Sequence, residues 1–303
     1  MTLEQLRIFV AVAEREHVTR AAEALHLTQS AVSAAIAALE SHYGVALFHR
    51  VGRRIELNEE GRLFLGEARA VLARAAAAEL ALAELSGLKR GTLNVQASQT
   101  IASYWLPQRL VAFRHRHPQI AIHLSIGNTA QVARAVAEGV AEIGFVEGRI
   151  ADPALELTEV DRDRLVVVTP PGHALADRKR LTAEDLAGAD WVLRETGSGT
   201  RSEFEAWLAE RGLKADQLKV VLELPSSEAV RSAVETGAGI TAISELVVES
   251  GLRAGTLSAA NVSLPVRPFN AVRHRERYRS KVSQAFLALL AADSEPALAA
   301  EAV

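Results

Sequence analysis

Cysteine is absent from this chain, and methionine occurs once. Without a thiol there is no disulfide, no thiolate metal ligand and no cysteine-based redox sensor. Long apolar runs are missing too: none approaches the ~18 residues of a membrane span. At the N-terminus Glu4, Arg7, Glu14, Arg15 and Glu16 interrupt the apolar residues. That is the spacing of an amphipathic helix, not of a signal peptide, and the expected location is the cytoplasm. A surplus of positive charge is the third absence. The net charge is −3, and residues 1–62 hold seven arginines, eight glutamates and no lysine. Bulk charge gives no argument for a nucleic-acid partner, so any such binding has to rest on a few arginines held together.

What is present is the balance of an ordinary globular chain, 49% apolar and 23% charged. The length of 303 residues suits two or three domains of ~100–200 residues each, with enough core to need no metal or disulfide staple. Leu3, Leu6, Phe9, Val10, Val12 and Ala13 make a helical stripe over 3–14. A second helix is expected at 18–25 with Thr19 as its N-cap, then a turn at 26–28 plugged by Leu27. A third helix runs from about Gln29 to His42 and stops at Gly44. Two short strands around Gly52 read as a wing. From Asn58 to Leu85 the pattern is one long helix, with nine alanines between Ala68 and Ala83. Phe64, Ala68, Val71, Ala75, Ala78, Leu82 and Leu85 recur at heptad spacing, which predicts pairing with a second copy. Packing on its own domain is the alternative.

Residues 86–91 read as a linker. Beyond it strands are expected at 92–97, 120–126 and 141–146, with helices at 101–116 and 129–138. A second set places strands near 164–169, 219–224 and 240–243, with helices near 200–211 and 227–236. This alternation predicts two α/β lobes with mainly parallel sheets and a cleft between them. The expected domains are 1–58, a linker helix at 59–90, lobe I at 91–162 with 267–303, and lobe II at 163–266.

The most informative stretch runs from Thr19 to Glu40. Val32, Ile36 and Leu39 bury one side of its second helix. Thr28, Gln29, Ser30, Ser33 and Ala34 remain outside, short side chains suited to base edges and phosphates at a helix N-terminus. Arg50, Arg53 and Arg54 in the wing are placed to hold the flanking DNA backbone or enter the minor groove. In the α/β part, ligands collect at the carboxyl ends of strands. Ser98, Gln99 and Thr100 follow one strand there. Asn128 and Thr129 follow the next. Glu147 follows a third, where it either selects a cationic group or pairs with Arg201. Gly197, Ser198, Gly199 and Thr200 form a glycine-bearing loop before a helix, where free N–H groups and hydroxyls suit an anion. His115 and His117 are read as part of a cationic helix end, and Arg273 to Arg279 as a solvated strand or loop with ion pairs. No catalytic constellation is present: Ser198 has no histidine and acid in a recognisable arrangement.

Thr19 to Glu40, the Leu47-Phe48-His49-Arg50 segment, Asn58-Glu59-Glu60-Gly61 and the two-lobed remainder together resemble the LysR-type transcriptional regulators, over the whole chain. The resemblance implies a mixed fold: an all-α winged helix-turn-helix, a dimerising linker helix, and a two-lobed α/β effector domain like a periplasmic binding protein. It implies promoter DNA as partner, a small effector in the cleft, a homotetramer, and contact with RNA polymerase. No cofactor and no metal are expected. Ala34 departs from the many members that carry Lys or Arg there. Arg194 to Arg201, Tyr104-Trp105-Leu106-Pro107 and Ser226 to Val230 look like the branch of sulfite-response, sulfur-assimilation and carbon-fixation regulators. That implies a small anion, a sulfite-like oxyanion first and a phosphorylated metabolite as the alternative. A cytoplasmic solute-binding protein without a DNA role is the reading from another class.

Overall fold

The computed structural model describes residues 1–51, 54–85, 91–176, 178 and 181–300. Its contacts divide the chain into two compact units, Met1–Leu88 with Ala137–Val140, and Lys89–Val136 with Ala141–Val303.

In the first unit helix α1 (Leu3–Arg15) starts on a capping box, in which Thr2 and Gln5 exchange backbone and side-chain bonds. Helix α2 (Val18–Leu25) is capped by His17, whose Nδ1 accepts the Arg20 N–H. Thr19 lies inside the helix, because His17 is the last residue with extended backbone. Helix α3 (Gln29–Tyr43) ends on Gly44, which takes the left-handed conformation that glycine adopts freely. The turn between α2 and α3 has His26 at φ +56°. Leu27 donates its N–H to Ala22 but its side chain is 36% exposed, so it does not plug the turn. The plug is instead Leu6, Phe9, Val12, Ala21, Ala22, Val32, Ile36 and Leu39, which close one core.

Strands β1 (Phe48–Val51) and β2 (Arg54–Leu57) pair antiparallel, so the first domain is winged and not all-α. Gly52 and Arg53 lie outside the described residues. Helix α4 (Glu59–Leu85) splits the expected seam. Phe64 and Ala68 pack on the core of their own domain, whereas Val71 is 42% and Leu82 68% exposed. Leu85 belongs to α4, its side chain outside the described set; of the expected linker at 86–91, residues 86–90 also fall outside it and Gly91 opens a strand instead.

The second unit follows the predicted alternation with several additions. Strand β3 (Gly91–Ser98) leads into a π-helical turn (Ile101–Trp105) and helix α5 (Leu106–Arg116), where one continuous helix was expected. Next come β4 (Ile120–Gly127), α6 (Thr129–Glu138), β5 (Ile143–Glu147) and the 15-residue β6 (Leu155–Thr169). Then follow α7 (Ala183–Gly188), β7 (Asp190–Arg194), α8 (Gly199–Ala209), a 3-10 turn (Ala215–Gln217), β8 (Lys219–Leu224), α9 (Ser227–Glu235) and β9 (Thr241–Ser244). Helix α10 (Glu245–Ala254), β10 (Ser258–Ala259), β11 (Val266–His274) and α11 (Lys281–Ala300) complete the chain.

Strand β3 is parallel to β4 and β5, and β7 to β8. The other pairings run antiparallel: β11 with β5 and β6, and β6 with β9 and β10. The sheets are therefore mixed rather than mainly parallel. The physical reason is β6, which pairs with β11 through residues 155–164 and with β9 through residues 165–168. One strand thus serves both lobes, and the chain returns along it through β11. In lobe II, alternate residues feed opposite faces. Leu165, Val167, Trp191, Leu193 and Ala242 enter one core, and Val168, Val192 and Ile243 the other, as the period of two requires of a sheet covered on both sides.

Candidate DNA-binding face and candidate ligand cleft

The Thr28 side chain accepts the Ala31 N–H at 3.2 Å and lies 3.1 Å from the Ser30 hydroxyl. Thr28 is thus the N-cap of α3. With Val32, Ile36 and Leu39 turned inward, Gln29, Ser30, Ser33 and Ala34 stand exposed on successive turns. Ala37 continues this face, a position the sequence reading passed over. The wing is tied to the helices by its ends. The Glu40 carboxylate accepts the Leu47 N–H at 2.7 Å. The Asn58 amide donates to the Ala46 carbonyl and accepts the Gly61 N–H, both at 2.7 Å. A Cβ on Gly61 would stand 2.1 Å from the Leu47 carbonyl, which is why this position takes glycine. Arg50 and Arg54 sit in the paired strands, with their side chains outside the described set.

In the second unit the Ser98 hydroxyl, at the end of β3, donates to the Glu147 carboxylate at the end of β5. The Glu147 carbonyl accepts the Thr129 hydroxyl at 2.6 Å. Gly199 is pressed against the same group: a Cβ there would lie 1.9 Å from the carbonyl oxygen and 2.5 Å from Thr129 Oγ1. Asn128 donates to Glu195 at 3.1 Å, and Gly197 lies beside the Asn128 amide at φ +92°. Ser98, Asn128, Thr129, Glu147, Gly197 and Gly199 therefore form one contiguous set drawn from both lobes. Gln99 joins it through Ser226 and Ser227, donating to the Ser226 hydroxyl at 3.0 Å and accepting the Ser227 N–H at 2.7 Å.

Two predicted hydroxyls stand out by lacking a partner. Thr100 is 0% and Ser198 2% exposed, yet neither Oγ atom has a hydrogen bond among the described residues. Buried polar groups are nearly always bonded, and an orphan needs an explanation. Ser198 occupies the N-cap position of α8 without capping it, so the loop is not a plain turn closed by its own serine. Thr100 opens the π turn, a feature frequent at functional sites.

The cations around the loop are engaged internally. Arg194 is 4% exposed. Its Nε and Nη2 donate to the two Glu195 carboxylate oxygens at 2.8 and 3.0 Å, and its Nη1 donates to the Ser227 hydroxyl at 2.8 Å. Arg201 bonds Glu205 at 2.7 Å and also Glu223; it does not pair with Glu147, which the Ser98 hydroxyl meets instead. Arg267 donates to Asp163 at 2.8 and 2.6 Å and to the Thr200 hydroxyl at 3.1 Å. Burial works to raise the Glu195 carboxyl, but the bonds and charge of Arg194 together outweigh it and hold the group below the usual glutamate range. Tyr104 donates to Glu228 across the lobes. Burial first, and that bond second, push its phenol well above the usual tyrosine range. In the sequence Arg194, Glu195, Ser226 and Ser227 stand out only within the segments 194–201 and 226–230 that carry the family resemblance. Asp163 and Arg267 carried no sequence signal.

Residues 3–62 match the model of the bacterial regulatory helix-turn-helix protein, lysR family, and residues 86–294 that of the LysR substrate binding domain. The chain is 40% identical over 95% of its length to the uncharacterised HTH-type transcriptional regulator YeiE of Escherichia coli, covering 96% of that protein. It is 32% identical over 94% of its length to a probable RuBisCO transcriptional regulator of Synechocystis, covering 84% of it. Among solved structures, the LysR family regulator CbnR superposes with a TM-score of 0.67 at 21% identity, over 96% of this chain and 98% of that one. The Synechocystis CcmR regulatory domain in complex with 2-PG gives 0.62 at 23% identity, over 67% and 97%. These two likenesses speak to fold alone. With both family models matched in order along its length, the chain belongs to the LysR family of transcriptional regulators, DNA-binding proteins with an effector-binding domain.

Proposed function

We propose that the cleft of this regulator senses a small oxyanion, a sulfite-like sulfur oxyanion first, and that its binding changes how the protein sits on promoter DNA. The observation that carries this reading is the pair of buried, unpartnered hydroxyls of Thr100 and Ser198. They sit on two loops joined through Glu147, Thr129 and Gly199. A small anion at the N-terminus of α8 gives both hydroxyls an acceptor. Ser98, Gln99, Asn128, Thr129, Glu147, Gly197, Gly199 and Thr200 form its surround. The three flanking arginines already hold internal carboxylates, which favours an anion recognised by neutral donors over a phosphate that needs a guanidinium. Effector control follows if the anion binds one arrangement of the lobes better than the other.

Thr28, Gln29, Ser30, Ser33, Ala34, Arg50, Arg53 and Arg54 are the DNA-contacting set in this reading. The working division is 1–58 for DNA, 59–90 for the linker helix, 91–162 with 267–303 for lobe I and 163–266 for lobe II. Exposed Val71 and Leu82 on α4 supply a surface for pairing two copies, with a tetramer as the full assembly in the cytoplasm and RNA polymerase as a further partner.

The second reading, a phosphorylated metabolite, is favoured by the RuBisCO-regulator relative and the 2-PG complex of the CcmR domain. A thermal-shift screen of sulfite, sulfate, thiosulfate and phosphate esters decides between them, because a ligand of the native state raises the melting temperature. Stabilisation by phosphate esters alone overturns the first reading. No salt-dependent preference for its own promoter over random duplex overturns the regulatory one.

A further inference from the structure

We propose that Glu195 is a specificity-determining residue of the cleft: its carboxylate stands in for an anion on Arg194 and so keeps phosphate esters out. The inference deepens the oxyanion reading and rests on it.

Arg194 carries a phosphate-binding group beside the site. Its guanidinium is buried, and its bonded neighbours connect to the predicted ligand residues from both lobes. Ser227 accepts from Nη1 at 2.8 Å, and the Ser227 N–H in turn donates to Gln99. A guanidinium with two parallel N–H donors matches phosphate and carboxylate geometry better than any other side chain. Here both donors are filled by the next residue in the chain, at 2.8 and 3.0 Å. The Asn128 amide adds a third bond to the same carboxylate at 3.1 Å. Glu195 thus consumes a cation from lobe II and a neutral donor from lobe I together.

A phosphate ester reaching Arg194 has to displace this carboxylate. Glu195 would then be left without its partner at a half-buried position, and the buried Arg194 guanidinium would have to exchange one carboxylate for another anion. The Thr100 and Ser198 hydroxyls and the backbone N–H groups at the start of α8 are outside this arrangement, so an anion small enough to use only them meets no such competition. Gly199 packs tightly beside this arrangement, where an added Cβ would lie 1.9 Å from the Glu147 carbonyl oxygen.

The test uses the full chain and titration calorimetry with sulfite, sulfate, inorganic phosphate and glycerol 3-phosphate on three proteins: wild type, Glu195→Gln and the double variant Arg194→Gln/Glu195→Gln. Glutamine keeps the size of Glu195 and its bond to Asn128 while releasing the guanidinium. In Glu195→Gln, affinity for glycerol 3-phosphate should rise about tenfold or more, as a new charge-assisted pair provides, with sulfite affinity within about threefold of wild type. The double variant should lose the gain and keep sulfite binding. The proposal is overturned if Glu195→Gln gains nothing for phosphate esters, if it gains equally for sulfite, or if the double variant retains the gain. Should Glu195→Gln fail to fold, the double variant still decides. Kept sulfite binding supports sequestration of Arg194, and a loss of about tenfold or more makes Arg194 an anion ligand and ends the proposal. Wild type silent to every anion while Glu195→Gln binds glycerol 3-phosphate overturns the sulfur-oxyanion reading and upholds the gate. Silence in both proteins overturns both.

Discussion

On α3 the polar groups proposed to meet DNA are exposed, fall within seven consecutive residues and are carried by a single helix, with the core on its other side. In the effector domain most of the polar groups proposed to meet a ligand are buried, with Gln99 and Asn128 half-buried, and they come from segments near residues 98, 128, 147, 198 and 226. The first arrangement leaves each side chain hydrated until DNA displaces the water, so single changes alter recognition without disturbing the fold. The second holds two hydroxyls, of Thr100 and Ser198, that are buried and have no hydrogen-bond partner among the described residues. That desolvation has been met during folding, and a ligand that satisfies them binds with correspondingly less to offset. It also makes the site intolerant of volume.

The largest expected effect tests whether the two regions are separable at all. Phe9 is fully buried, with ring centroids 5.6 Å from Phe48 and 4.8 Å from Phe64. Phe9→Ala should destabilise the first unit by about 3–5 kcal/mol and abolish promoter binding. The anion-induced thermal shift of the second unit should survive in calorimetry. Loss of both together would break the comparison. Next, Gly199→Ala forces a Cβ into the Glu147 carbonyl and the Thr129 hydroxyl. Strain of about 1–3 kcal/mol should remove effector binding, measured by calorimetry, while promoter affinity in a mobility-shift assay stays as in wild type.

Gln29→Ala should lower discrimination between promoter and random duplex by about 1–3 kcal/mol with little change in the salt slope; an unchanged ratio removes Gln29 from the contact set. Thr28 sharpens the point, since its hydroxyl caps α3. Thr28→Ala should lose about 1 kcal/mol of stability, and Thr28→Ser should restore both stability and binding, as read from urea midpoints and promoter titrations. The smallest effect is on pH. The folded-state pKa of Glu195 is depressed, so its stabilising contribution is present above the unfolded value and is lost as pH falls through the folded value. Glu195→Gln should therefore show a shallower fall of melting temperature with acid than wild type, and an identical acid limb would show that this pair contributes nothing to it.

Local physics made the helices of the first unit readable. The 3.6-residue period of Leu6, Phe9, Val12 and of Val32, Ile36, Leu39 names both buried faces, and Gly44 stops α3 where only a left-handed residue fits. The same period misplaced Thr19 and Leu27, because neither capping at His17 nor the exposure of a turn leucine is written in spacing. In the second unit strand order and loop position marked which residues stand at the carboxyl ends of β3, β4 and β5. Only the tertiary structure decided what they touch. Glu147 meets Ser98 and not Arg201, and β6 belongs to two lobes. Asp163 finds Arg267 104 positions along the chain. The heptad on α4 is divided between a domain core at Ala68 and open surface at Leu82. Periodicity records which way a side chain faces. Which of two donors reaches a carboxylate, and whether a buried hydroxyl is left without a partner, depends on distances between segments far apart in sequence, set by the packing of the whole domain.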